Sequence, residues 1–310
     1  MSETPDAQAA APSPAGPPHL LSFDVEEYFQ VEAAARGGVT PDDWATYPRR
    51  LAPAVDRALQ ALADHGASAT FFILGWVARH EPDVVRRIAE LGHEVASHGM
   101  GHRMLQHLDA PAFRDDLRES RRLLEDLAGR AVRGYRAPTF SVGHDTAWAV
   151  DVLAEAGFAY DSSVFPIAHD RYGVPGAPTG PHRARGPGGG TLLEIPPLTL
   201  RVAGANWPVG GGGYLRLLPR RLPARALRKA ARRRTPGMLY MHPWELDPDQ
   251  PVLPMSRLSR FRHRVGLRKA EEKLRWLLGR FRFTSVAEQL DDLQSRPLET
   301  YAYGDSAGGG

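Results

Sequence analysis

The chain has 310 residues, a 42% hydrophobic composition and a formal net charge of +3, enough apolar material for one barrel-sized domain or two smaller ones. It contains no cysteine, which excludes a disulfide framework, thiolate metal sites and a cysteine nucleophile. No apolar run reaches membrane-span length and the N-terminus lacks the basic-then-apolar order of a signal peptide, so the sequence reads as soluble, unexported and cytoplasmic.

Residues 1–18 are rich in alanine and proline without a large apolar side chain, and are expected to be disordered. The sequence His19-Leu20-Leu21-Ser22-Phe23 reads as a buried strand ending in Asp24-Val25-Glu26. In extended chain Asp24 and Glu26 face one way and Val25 the other, and two acids on one side repel unless a cation lies between them. A helix is expected over 51–65, a strand over 69–74 and a helix over 82–91, the rhythm of a parallel α/β sheet or barrel. A third strand, Glu94-Val95-Ala96, delivers Ser97 and His98 into a glycine-containing turn, with His102 four residues on. That spacing brings two imidazoles to one side of a helical or tight-turn segment, suited to zinc, nickel, cobalt or iron.

Asp109 is placed to cap a helix that Gly129 ends. A strand near 131–135 then delivers Arg136, and the following Pro138 stiffens a loop through Thr139 and Phe140. An arginine there can hold a carboxylate in a bidentate pair. A helix over 145–157 and a strand over 158–160 lead to Asp161-Ser162-Ser163. Residues from about 169 to 215 read as an irregular Gly/Pro/Arg-rich insertion with strand-like runs at 191–195 and 198–202, and Gly210 to Gly213 as a flexible rim. The buried run Gly237 to Met241 ends at His242, before Pro243-Trp244-Glu245, where a histidine suits general acid or base work. Residues 216–234 are dense in arginine without an acid, and 257–269 repeat the pattern. These stretches read as solvated helix faces or as patches for anionic lipid or polysaccharide; without a nucleic-acid reader motif, nucleic acid is disfavoured. A last strand over 281–284 and a helix over 286–293 precede an expected flexible tail, 296–310.

Taken together, the motifs Ser22-Phe-Asp-Val-Glu-Glu-Tyr-Phe29, His93-Glu-Val-Ala-Ser-His98, Tyr135-Arg-Ala-Pro138, Tyr160-Asp-Ser-Ser163 and Met241-His-Pro-Trp244 resemble the polysaccharide deacetylases of carbohydrate esterase family 4. The wording is most similar to the subgroup found beside exopolysaccharide gene clusters. This resemblance implies a distorted (β/α) barrel with about seven parallel strands, a single catalytic domain over 19–295, and one divalent metal ion, zinc first with cobalt, nickel or manganese as alternatives. It implies Asp24 as general base, Glu26, His98 and His102 as metal ligands, Arg136 as partner of the base and His242 as general acid. Thr139 and Phe140 would lie at the oxyanion site, and Asp161 and Trp244 near the substrate. The implied reaction removes N-acetyl groups from an oligo- or polysaccharide such as an exopolysaccharide or cell-wall glycan. A membrane-associated polysaccharide synthesis complex is a further implied partner.

Three departures stand out. Val25 separates the two acids, Thr139 takes the place of an aromatic with Phe140 one later, and Val164 stands where a second carboxylate usually tunes the acid histidine. What tunes His242 is not legible. Hydrolysis of small cyclic amides on the same barrel, or a non-catalytic carbohydrate-binding relative, are the alternatives.

Overall fold

The computed structural model describes residues 17–169 and 172–304, so most of the expected N-terminal tail, two residues of the insertion and the last six residues lie outside the described residues. In chain order the first half runs β1 (His19–Val25), α1 (Glu32–Ala35), α2 (Leu51–Ala63), β2 (Thr70–Ile73), α3 (Gly75–His80), α4 (Pro82–Glu90), β3 (Glu94–Ser97), α5 (Ala110–Ala128), β4 (Gly134–Tyr135), α6 (Trp148–Glu155) and β5 (Tyr160–Asp161). The second half runs β6 (His182–Arg185), β7 (Thr191–Glu194), β8 (Thr199–Val202), β9 (Ala205–Pro208), α7 (Gly212–Leu217), α8 (Arg221–Arg232), β10 (Met238–Met241), α9 (Arg257–Arg264), α10 (Ala270–Leu278), β11 (Phe283–Thr284), α11 (Val286–Ser295) and β12 (Thr300–Ala302).

Strands β10, β1, β2, β3, β4, β5 and β7 pair in that order, all parallel. Beyond β7 the chain bends back: Pro197 bridges Met238, and the Leu198 N–H donates to the Met238 carbonyl at 2.8 Å. The two edges of the seven-strand sheet therefore meet, and the architecture is the expected distorted α/β barrel. Antiparallel pairing of β6 on β7, with β12 on β6, extends the wall outward, and β11 pairs the start of β1.

Every residue of β1 is buried, because both faces of a barrel strand are covered. Its alternation sorts the side chains. Leu21, Phe23 and Val25 pack outward with α2 residues such as Val55, Leu59 and Leu62. Leu20 faces inward with Phe72, Ala96 and Met238, above Val286, Leu290 and Leu293 of α11, which close the lower end. Ser22 and Asp24 continue that inward row toward the strand's C-terminal end, and Glu26 follows just past it. A single strand thus turns from apolar plug to carboxylates over three alternating positions.

Helix α5 starts where expected: the Asp109 side chain accepts from the Ala112 N–H at 2.9 Å. Three expectations are corrected. The tail from 296 is not uniformly loose, since Thr300–Ala302 pairs β6 and the Tyr303 hydroxyl meets His182 Nε2 at 2.7 Å inside the protein. The presumed insertion contains β7, an integral barrel strand. The glycine run lines the cleft but is not loose: Gly211 bridges Tyr240 of β10, and a Cβ there would stand 2.2 Å from the Tyr240 ring and carbonyl oxygen. Helix α3 carried no expectation at all. No helix among the described residues is long and apolar enough to cross a membrane.

Gly211→Ala is expected to cost about 1–3 kcal/mol by forcing Tyr240 aside. Gly143→Ala, whose Cβ meets nothing within 4 Å, should stay within about 0.5 kcal/mol of wild type. Denaturant melts of the two variants decide; equal stabilities would refute the close approach.

Candidate active site and metal centre

The C-terminal ends of the barrel strands open into a cleft of about 440 Å³. Asp24, Glu26, His98, His102, Thr139, Phe140, His242 and Trp244 all line it. Arg136 lies beneath its floor, fully buried, and Asp161 lies apart.

The loop after β3 gives His98 and His102 in a tight turn, the non-helical form of the expected spacing. Gly99 adopts φ +76° and His102 itself φ +51°, and these two left-handed residues fold the loop back on itself. A Cβ on Gly99 would also stand 2.9 Å from the Asp116 carboxylate, which accepts the Met100 N–H at 3.0 Å. The first N–H groups of α3 anchor the same loop, Gly75 to the Gly99 carbonyl and Trp76 to the Met100 carbonyl, both at 2.8 Å. The imidazole rings end 5.6 Å apart.

His102 Nε2 lies 2.8 Å and His98 Nε2 4.0 Å from Glu26 Oε2. One ligand atom from each of the three residues falls within a 4.8 Å cluster. His98 Nδ1 donates to the Arg136 carbonyl at 2.8 Å, which fixes the tautomer and leaves Nε2 with its lone pair toward Glu26. Burial drives the His98 pKa down to about 4, so the ring is neutral. Burial alone would raise Glu26, but the three surrounding histidines hold it down to about 2. Its Oε2 is buried and faces only the His98 and His102 rings, while Oε1 accepts the Trp244 indole N–H at 3.3 Å. Two convergent imidazoles beside a carboxylate oxygen with no other partner fit a divalent cation.

Arg136 crosses the barrel interior from the end of β4. Its Nη1 donates to Asp24 Oδ1 at 2.5 Å and to Ser22 Oγ at 2.9 Å, while Nη2 and Nε donate to Ser162 Oγ and the Ser162 carbonyl at 2.8 and 3.0 Å. The guanidinium also lies 4.1 Å from the Phe72 ring centroid. The expected pair is therefore monodentate, with the remaining donors spent on the barrel wall. Thr139 and Phe140, at φ +59° and +51°, form a strained pair directly after it, of the kind that gathers at functional sites.

Asp161 does not reach the cleft. It sits opposite Glu194 in the β5–β7 register and accepts the Ser163 hydroxyl. Burial pushes the pKa of both acids upward, and each neighbours the other's charge. Its motif supports rather than contacts: Ser162 holds Arg136, and Ser163 Oγ accepts the Ala137 N–H at 2.7 Å.

His242 Nε2 faces Asp24 Oδ2 at 3.9 Å and Glu26 Oε1 at 3.6 Å. What tunes it is Glu245, one turn further on: Nδ1 meets Glu245 Oε1 at 2.6 Å, and Arg216 Nε of α7 lies 2.8 Å from Glu245 Oε2. Glu245 was missed by sequence reasoning, although its place three residues past a strand-end histidine matches a capping box. Burial would lower His242, but the Glu245 hydrogen bond and the nearby carboxylates raise it to about 9. Trp244 stacks on His242 at 5.0 Å and on His263 of α9 at 4.5 Å, making one aromatic wall.

Comparison with known proteins bears on this geometry. Residues 39–160 match the family model described as polysaccharide deacetylase. Over that stretch the chain is similar to the polysaccharide deacetylases. That match contains His98, His102 and Arg136; Asp24 and Glu26 precede it, and His242 falls in residues 162–291, which match a domain of unknown function (DUF3473). A chitooligosaccharide deacetylase from Sinorhizobium fredii is 42% identical over 108 residues, 33% of this chain and 46% of the relative. A peptidoglycan-N-acetylglucosamine deacetylase from Bacillus cereus is 34% identical over 82 residues, 26% of this chain and 30% of the relative. The match thus spans less than half the length of either relative. Among solved structures, a Mycobacterium smegmatis protein classed with the polysaccharide deacetylases aligns over 96% of both chains at TM-score 0.56 and 21% identity. A Puue allantoinase aligns over 96% of this chain and 99% of its own at TM-score 0.58 and 16% identity. At such identities the likeness is one of fold.

In the protein without added metal, the His242 ring is expected to stay protonated up to about pH 9 and to lose its proton above it. Removing the Glu245 charge removes a stabiliser of the charged ring, so Glu245→Gln should shift the titration to lower pH, read from histidine NMR signals. A titration that ignores the substitution would refute Glu245 as the tuning group.

Proposed function

We propose that the chain is a metal-dependent hydrolase that removes N-acetyl groups from amino sugars of an oligo- or polysaccharide. The observation that carries this reading is one cleft in which an arginine-held carboxylate, Asp24, and a carboxylate-held imidazole, His242, face each other beside the Glu26, His98 and His102 ligand set. Exopolysaccharide or cell-wall glycan, N-acetylated and extended, is the proposed substrate class.

Glu26 Oε2, His98 Nε2 and His102 Nε2 would hold the cation, and zinc suits a donor set of two imidazoles and a carboxylate. When bound, the cation supplies Lewis-acid polarisation of the acetamide carbonyl. Asp24 Oδ2 accepts a proton from the attacking water, while Oδ1 stays with Arg136 so that the carboxylate keeps its direction. The carbonyl oxygen gains negative charge as water adds, and the backbone N–H of Thr139 is the proposed donor to it. His242 Nε2 gives its proton to the departing amine nitrogen as the C–N bond breaks, because an unprotonated sugar amine is too basic to leave. Glu245 holds Nδ1 throughout. Acetate and a free amino sugar are the products.

Acetate release from N-acetylated chitooligosaccharides by metal-reconstituted protein tests this, with allantoin as a control substrate. Asp24→Asn should lower the rate by about 10²–10⁴ with metal retained, whereas His98→Ala should lose metal and activity together; chelation should abolish turnover and metal restore it. Opening of allantoin without acetate release would instead assign a cyclic-amide hydrolase, and silence on both with glycan bound, a binding relative.

A further inference from the structure

Helix α9 forms part of the cleft mouth, and its two faces differ sharply. The inner face is fixed to the candidate catalytic wall: His263 stacks on Trp244 and pairs with Gln250 Oε1 at 2.8 Å, while Arg216 donates to the carbonyls of His263 and Val265 at 2.8 and 2.7 Å. The outer face carries Leu258 and Phe261, three residues apart and therefore on one side of the helix, 59% and 58% exposed. Leu217, at the end of α7, is 56% exposed and lines the same cleft as Phe261. Scattered surface leucines carry no meaning, but three large apolar side chains grouped at the mouth of a site do.

Charge surrounds this patch. Residues 250–270 contain Arg257, Arg260, Arg262, Arg264, Arg268 and Lys269 and no aspartate or glutamate. Arg257, Arg260 and Arg262 are exposed around Leu258 and Phe261. A soluble polyanion would engage the arginines and leave the apolar side chains in water, whereas an anionic bilayer satisfies both, phosphate groups taking the arginines and the acyl boundary taking the leucine and phenylalanine.

We propose that the α9 rim docks the cleft mouth onto an anionic lipid bilayer, with Leu258, Phe261 and Leu217 entering the interface and Arg257, Arg260 and Arg262 on the headgroups. Docked in this way, the cleft opens toward the membrane surface, where a glycan held on a lipid would meet it. Lipid binding itself does not depend on the deacetylase reading, so the two stand or fall separately.

Co-sedimentation of the full chain with phosphatidylcholine vesicles, with and without phosphatidylglycerol, tests the proposal. Wild type is expected to pellet with the anionic vesicles only. Arg257→Gln with Arg260→Gln should weaken partition roughly fivefold per arginine removed. Leu258→Ser with Phe261→Ser should reduce it at low salt as well, when the arginines act at full strength. Circular dichroism melts confirm that each variant folds. The proposal is overturned if wild type stays in the supernatant with anionic vesicles, or if the apolar substitutions leave binding unchanged. Capture by soluble dextran sulfate without vesicle binding would likewise replace it with a polyanion patch.

Discussion

The arrangement of the site depends on one buried guanidinium. Arg136 has no exposed surface, and a charge so placed is tolerated only when paired and fully hydrogen-bonded. It meets that condition by reaching across the barrel from β4 to Asp24 on β1 and to Ser162 after β5. The same residue's backbone carbonyl sets the His98 tautomer. One position thereby aims a candidate base through its side chain and a candidate ligand through its main chain. Removing it would leave Asp24 buried without its partner, and breaking such a pair costs about 3–5 kcal/mol.

The opposite side of the cleft repeats the logic with other parts. His242 sits at the end of β10, Glu245 turns back on it, and Arg216 of α7 satisfies Glu245. Because α7 starts at Gly211 and Gly212, packed against Tyr240, the arginine is set by the very glycines that the sequence suggested were loose. Burial makes each of these contacts strong and also makes each hard to lose. Between the two sides, Glu26 is held down chiefly by the His102 and His242 rings.

Support extends below the cleft through groups that never reach it. Asp161 and Glu194 lie opposite each other on neighbouring strands and accept from the Ser163 hydroxyl and the Val164 N–H, holding the turn that in turn holds Arg136 and Ala137. The family resemblance places Asp161 near the substrate. The structure instead pairs it across the β5–β7 register with Glu194, away from the cleft.

What the sequence by itself determined was local and periodic. Alternation in His19-Leu20-Leu21-Ser22-Phe23-Asp24 assigns the inward row, the four-residue spacing assigns the histidine pair, and Asp109 and Gly129 bound α5, because each depends only on backbone geometry within a turn or two. Strand-end positions for Asp24, His98, Arg136 and His242 follow from the same patterns, and with them a parallel α/β sheet or barrel, which the family resemblance narrowed to a barrel. Only the tertiary structure decided the closure of the barrel through Pro197 and Met238, the order of β12 on β6, and the assignment of Glu245 and Arg216 to His242. These contacts join segments far apart in the chain, and side chains such as Glu245 acquire their direction from what packs around them, which no local pattern encodes.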